Sequence, residues 1–234
     1  MTREEILQIA KPMLFNTDMV RAILDDKKTA TRRLIKPQHL RVLDSPYHKS
    51  HPEVPDNVLI KKLCNPPYKP GDYLYVRETW MMQSAKRYDA LIRIGYRAGG
   101  KGTTIYFPNG GTDSINRVKY DAFIGRRTLD RWYPSIHMPK EAARIFLRVK
   151  DIRVERLQDI TEHEAELEGC SSGCIQITGG PWGIEDDPDV WTAKDEFIEV
   201  WNSTITKKDR DKYRWEANPW VWVIEFERCD VSDV

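Results

Sequence analysis

The densest run of chemistry-bearing side chains is KKTATRRLIKPQHLR, residues 27–41. It holds Lys27, Lys28, Arg32, Arg33, Lys36 and Arg41 and no acid. Thr29, Ala30 and Thr31 within it suit an extended backbone. An extended basic strand after a short helix can offer Arg32 and Arg33 to phosphate oxygens, the contacts that position a protein on a nucleic acid. The bland alternative is a solvated surface strand and loop. The whole chain carries 37 Lys and Arg against 36 Asp and Glu, a formal net charge of +1. An indiscriminate polyanion binder would be basic overall, so any anion recognition must be local.

Other constellations are weaker. Cys64, Cys170, Cys174 and Cys229 are too sparse for a disulfide scaffold. Cys170 and Cys174 have C-x-x-x-C spacing with His163 upstream, but no further close pair completes four ligands, so no metal and no other cofactor is expected. The stretch 99–104, GGKGTT, lacks the G-x-x-x-x-G-K-[ST] pattern of a phosphate loop. No run approaches the roughly 20 apolar residues of a membrane span. The start, MTREEILQIAKPMLF, has early acids and no long apolar stretch, unlike a secretory signal. The expectation is a cytoplasmic protein without a membrane partner; its oligomeric state is open.

The elements that must position these residues are short. Hydrophobic residues make up 40% and charged residues 31%, a polar chain that can still form a core. Met13-Leu14-Phe15 reads as an opening strand. Thr17 can cap a helix with Met19, Val20, Ile23 and Leu24 on one face. Residues 42–70, rich in proline, read as a loop ending in the turn Pro70-Gly71-Asp72. Tyr73–Arg77 is a strand, ended by Glu78, Thr79 and Trp80, with Trp80 read as core. Residues 81–135 are hard to read, with a hairpin expected from Ile92–Tyr96 and Thr104–Phe107. Ile145, Leu147 and Val149 lie on one face of a strand; Ile152 and Val154 continue on the other parity, which implies a bulge near Lys150-Asp151. Thr161 and Glu164 form a T-x-x-E capping box, with Ile160 and Ala165 as its staple and Gly169 as the stop. Residues 170–191 read as a loop. Thr192 opens a helix burying Phe197, Ile198 and Trp201. Trp220–Phe226 is apolar on both faces at its start, as a closing barrel strand would be. These pieces make an α+β protein, a small mixed β-barrel with short helices and long loop insertions.

The order of segments resembles a known family. Lys-Pro-Met-Leu-Phe, a short helix and Lys28-Thr29-Ala30-Thr31-Arg32-Arg33 come first. Pro70-Gly71-Asp72, Val76-Arg77-Glu78-Thr79-Trp80, Leu157-Gln158-Asp159-Ile160-Thr161, Glu168-Gly169 and Val223-Ile224-Glu225-Phe226 follow. This looks like an ASCH domain of the PUA-like superfamily, in the longer form common in phage and prophage genomes. The resemblance covers roughly 12–37, 69–80, 137–170 and 192–228. It implies one domain over 1–234, with insertions at about 39–68, 81–136 and 171–191. It implies a PUA-like barrel with a cleft beside the first helix, and RNA or a modified nucleoside as partner. One enzymatic branch hydrolyses the acetyl amide of acetylcytidine. Its catalytic Lys, Thr and Glu match Lys28, Thr31 and Glu168. Arg32, Arg33, Arg77 and Glu78 would then bind substrate or nucleic acid; Arg77 and Glu78 fit a structural ion-pair network equally well. The chain departs from that branch in its greater length, and in Asp26 where members often have Gly.

The residue types suit such chemistry. A Thr hydroxyl becomes a nucleophile when a base takes its proton, and a desolvated Lys amine can be that base. A carboxylate can pass the proton to the leaving amine. Glu168 would sit at a helix C-terminus, where the dipole disfavours its charge by roughly 0.3–1 kcal/mol unless a cation such as Lys28 meets it. In a regular strand residues 28 and 31 face opposite sides, so Lys28 is expected in the loop and Thr31 on the strand. The alternatives are a non-catalytic RNA-binding module and a phage structural or host-interaction protein using the barrel as scaffold.

Overall fold

The computed structural model describes residues 1–107, 114–125, 127–172 and 191–230. In chain order they form α1 (Arg3–Ile9), β1 (Lys11–Leu14), α2 (Thr17–Leu24), β2 (Ala30–Leu34), α3 (Pro37–Leu40), α4 (Pro46–Ser50) and α5 (Asp56–Leu63). There follow β3 (Tyr73–Arg77), β4 (Trp80–Lys86), β5 (Leu91–Tyr96), β6 (Thr103–Tyr106), α6 (Ser114–Ile124) and β7 (Trp132–Tyr133). β8 (Phe146–Arg156), α7 (Glu162–Leu167), α8 (Ala193–Thr204), α9 (Arg210–Tyr213) and β9 (Trp220–Arg228) complete the chain. The α+β class is as the sequence predicts. The chain divides into two compact units, one of Met1–Leu24, Asp72–Arg148 and the chain from Arg228 onward, the other of Asp25–Gly71 and Val149–Glu227.

In the first unit β1 runs parallel to β3, with Lys11 opposite Leu74 and Leu14 opposite Arg77. β3 is antiparallel to the first residues of β8. A second, antiparallel sheet has the order β6-β5-β4-β7. The expected hairpin is β5 and β6, Leu91 opposite Tyr106. Trp80 does not end a strand but opens β4, opposite Tyr96 and Tyr133. It is fully buried, in a core with Met82, Ile92, Ile94, Tyr120, Met138 and Phe146. The start of α2 is also corrected: Asn16, not Thr17, is the cap, its Oδ1 accepting the Met19 N–H at 2.8 Å.

In the second unit the strand order is β8-β9-β2. β9 is antiparallel to β2, with Ala30 opposite Glu225, Arg32 opposite Val223 and Leu34 opposite Val221. Val221 to Ile224 are all buried, the two-sided apolar start that the sequence implies. Along β8, Leu147 and Val149 are buried, Lys150 and Asp151 are both exposed, and Ile152 and Val154 are buried. The alternation slips by one residue at the predicted place. Leu157, Ile160, Ala165, Phe197 and Trp201 form this unit's apolar cluster with Val221 and Val223. Among the described residues each run of strands is open, with two ends, and no barrel closes.

The predicted loop at 42–70 is largely helical. Its prolines start helices there: Pro46 follows the capping Ser45, and Pro55 precedes Asp56, the first residue of α5. A missing N–H costs nothing in a first helical turn, where it would have no partner. The 81–136 insertion holds β4–β7 and α6. The acidic stretch at 185–189 and Cys174 lie outside the described residues.

α7 matters most for the site. Thr161 Oγ1 accepts the Glu164 N–H at 3.3 Å, and the Glu164 carboxylate accepts the Thr161 N–H at 2.9 Å. Gly169, at φ +91°, ends the helix in a left-handed turn that a Cβ would oppose. Thr161→Ala should lower unfolding stability by about 1 kcal/mol in a urea titration, whereas Thr161→Ser should stay within a few tenths of wild type. Equal losses in both would mean that the hydroxyl is not what holds this helix start.

Candidate functional site

Four cations and four carboxylates of the second unit gather where α7 meets β2. Their placement follows from strand parity. On β2, Ala30, Arg32 and Leu34 share one face; Thr31 and Arg33 project from the other. Register puts Glu225 of β9 on the Arg32 face, since Ala30 opposes Glu225. Arg153 and Glu155 of β8, two residues apart, also share a face. Glu164 comes from α7.

Lys28 precedes β2, in the loop, as expected. Its Nζ donates to the backbone carbonyl of Glu168 at 2.7 Å and to Glu168 Oε2 at 2.6 Å. The Lys28 side chain is 0% exposed and the Glu168 side chain 5%. One ammonium thus caps the last carbonyl of α7 and neutralises the carboxylate stationed there, both favourable at the negative end of a helix. A backbone bond from Thr29 N–H to Leu167 C=O, 2.8 Å, ties the same segments. Burial pulls the Lys28 ammonium below its ordinary 10.5; Glu168 opposes that pull, and Arg33 adds to it.

Arg32 lies beneath. Its guanidinium reaches Glu155 and Glu164 at 3.2 Å each and Glu168 at 3.5 Å, and stands 5.9 Å from the centre of the Phe197 ring. Its side chain is wholly buried. Arg153 pairs with Glu164 at 2.5 Å and also with Glu155 and Glu225. Arg33 is half-buried, and burial draws its guanidinium downward against the opposing pull of Glu168 and Tyr68. Thr31 is buried on β2, opposite Ile224.

The segment with the strongest basic bias is therefore not a solvated strand. Lys28, Thr31 and Arg32 are all buried, and Arg32 is engaged with three carboxylates. Lys28 and Glu168, 140 residues apart, are in direct contact. Arg77 and Glu78 belong to the other unit. There Glu78 pairs with Arg144, through two bonds of 2.8 and 2.9 Å, and not with Arg77. Arg77 donates to the backbone carbonyl of Ile136. Cys170 is half-buried, and burial pushes its thiol up to about 12, so it is neutral near pH 7. Among the described residues no group of three His, Cys, Asp or Glu side chains is placed to hold a metal.

Arg153 and Glu155 are singled out by nothing in the sequence reading, while Glu164 enters there only as a capping residue and Glu225 only within the closing strand. The readable signal is Arg153-x-Glu155, opposite charges on one face of a strand whose other face is apolar. Comparison of the chain with models of known families, with curated proteins and with solved structures finds no match.

Breaking a buried pair strands a charge, at a cost of about 3–5 kcal/mol. Glu168→Gln should show a loss of that order near neutral pH in chemical denaturation. The loss should shrink as pH rises. Lys28 is held below 10.5 when folded, so between its folded value and 10.5 the unfolded chain binds a proton that the folded chain lacks, and stability rises with pH there. A loss independent of pH would mean that the buried ammonium is not its source.

Proposed function

We propose that this chain is a PUA-like protein of the ASCH type that recognises a nucleobase or nucleoside, and that it hydrolyses the amide of an N-acylated cytidine with Lys28, Thr31 and Glu168. The observation that carries this reading is the desolvated Lys28 ammonium 2.6 Å from Glu168, three residues before a buried threonine. The order of sequence motifs supports the family assignment.

In the proposed reaction Thr31 Oγ attacks the acyl carbonyl as the Lys28 amine takes its proton. Burial favours the neutral amine that this requires. Glu168, bonded to Lys28 Nζ, passes the proton to the departing cytidine amine. Water then cleaves the Thr31 ester, with the same pair drawing off its proton, and releases the carboxylic acid. Amide plus water becomes acid plus amine. Arg32 is a positioning residue in this scheme, since it holds Glu168 from beneath. The pair is shut from solvent, so turnover begins with its opening to admit the acyl group.

A second reading rests on the same burial. A closed cluster with matched charges can serve only to join α7 to β2, and the protein would then bind without catalysis. Turnover separates the two. Purified protein should release acetate from N4-acetylcytidine without added metal. Thr31→Val, which keeps the shape and removes the hydroxyl, should abolish release and leave the fold intact. The rate should climb with pH toward a midpoint below 10.5. Full activity in Thr31→Val would exclude the nucleophile. No hydrolysis of any acylated nucleoside, together with tight RNA binding, would establish the binding module.

A further inference from the structure

The first unit holds a separate cavity of about 650 Å³, lined by Ala122, Gly125, Arg127, Tyr133 and His137. Its volume lies within the roughly 300–1,000 Å³ typical of small-molecule sites. None of the described lining residues is acidic. Tyr133 belongs to β7, the outer strand of the order β6-β5-β4-β7. Its ring centre lies 5.2 Å from that of the fully buried Trp80, which fixes the plane of the wall. Arg131, just before β7, stands 5.8 Å from the Tyr133 ring centre. Arg127 lies over the Phe123 ring at 4.6 Å and the Trp80 ring at 5.5 Å, and is anchored to the Phe123 carbonyl. Both guanidinium groups thus stand close to aromatic rings.

We propose that this cavity binds a nucleotide, a planar base joined to a phosphate. Guanidinium planes and aromatic edges accept the face of a base by stacking. Arg127, Arg131 and His137 supply N–H donors for the phosphate, and a guanidinium is suited to a bidentate phosphate contact. An acidic peptide would use the cations and gain nothing from the aromatic wall; an apolar ligand would leave the guanidinium donors unmet. The site belongs to a different unit from Lys28 and Glu168 and does not depend on their chemistry.

The same ligand chemistry has two sources, a free mononucleotide and a single strand. Isothermal titration of the full chain with AMP, adenosine, inorganic phosphate, polyglutamate and a decamer of rA distinguishes them. AMP or the decamer should bind, and adenosine and phosphate should each bind at least tenfold more weakly. Arg131→Gln/His137→Gln changes two residues with exposed side chains and should weaken binding by about tenfold or more, because it removes charge-assisted hydrogen bonds. Tight decamer binding that AMP does not compete assigns a strand. Its log–log salt slope should then become shallower by about 0.7 when Arg131 is replaced. Binding of AMP that equals or exceeds that of the decamer assigns the free nucleotide. The proposal is overturned if neither AMP nor the decamer binds, if polyglutamate binds as tightly, or if the double substitution leaves affinity unchanged.

Discussion

Burying the Lys28 ammonium is the constraint from which the second unit's polar interior follows. A desolvated cation needs an anion and further acceptors, because desolvation of an unpaired charge costs more than its neighbours return. The end of α7 supplies both, in the carbonyl and the carboxylate of Glu168. Helix length is therefore not free. The Thr161 cap sets where α7 begins and Gly169 sets where it stops, and the six helical residues Glu162–Leu167 deliver Glu168 to Lys28. An added or lost residue in that helix would rotate Glu168 by about 100° around the axis, away from its partner.

One carboxylate does not close the account, since Glu168 also faces Arg32. That guanidinium brings in Glu155 and Glu164, and these in turn share Arg153, which reaches Glu225. Each added ion satisfies the previous one and requires another until the chain of pairs reaches half-exposed groups such as Arg153. Such a network gives up what well-packed apolar side chains of similar volume could contribute. What it leaves is a lysine that burial pulls toward the neutral form, a property an exposed surface pair would not have.

Much of this was legible in the sequence, and the reason is locality. The T-x-x-E box, the stop at Gly169, the slip in parity at Lys150-Asp151 and the two-sided start of β9 are all patterns within ten residues, and all appear in the structure. The Lys28–Glu168 contact spans 140 residues and was reached only through motif order and the electrostatics of a helix end. Long-range pairing of opposite charges leaves little local trace. Arg153 and Glu155 carry little local mark beyond alternating with Ile152 and Val154, and Glu78, whose neighbour Arg77 is a ready partner, pairs instead with Arg144, 66 residues on. The prolines of 42–70 misled for a different reason. Proline both breaks a helix interior and suits a helix start, and the sequence alone does not separate the two without the cap before it.

The cluster also decides the register of β2. In an antiparallel pair a slip of one residue turns every side chain to the other face. A slip of β2 on β9 would turn Arg32 away from Glu155, Glu164 and Glu168 and put Thr31 and Arg33 on the face of Val221, Val223 and the ring of Phe197. Apolar pairing alone would resist this weakly, because β9 is buried on both faces from Val221 to Ile224 and accepts either parity. The ions supply the discrimination that the apolar strand cannot. By fixing Arg32 on one face of β2 they also fix Thr31 and Arg33, two residues apart, together on the other. The interaction that hides Arg32 from solvent is the one that gives Thr31 a defined direction.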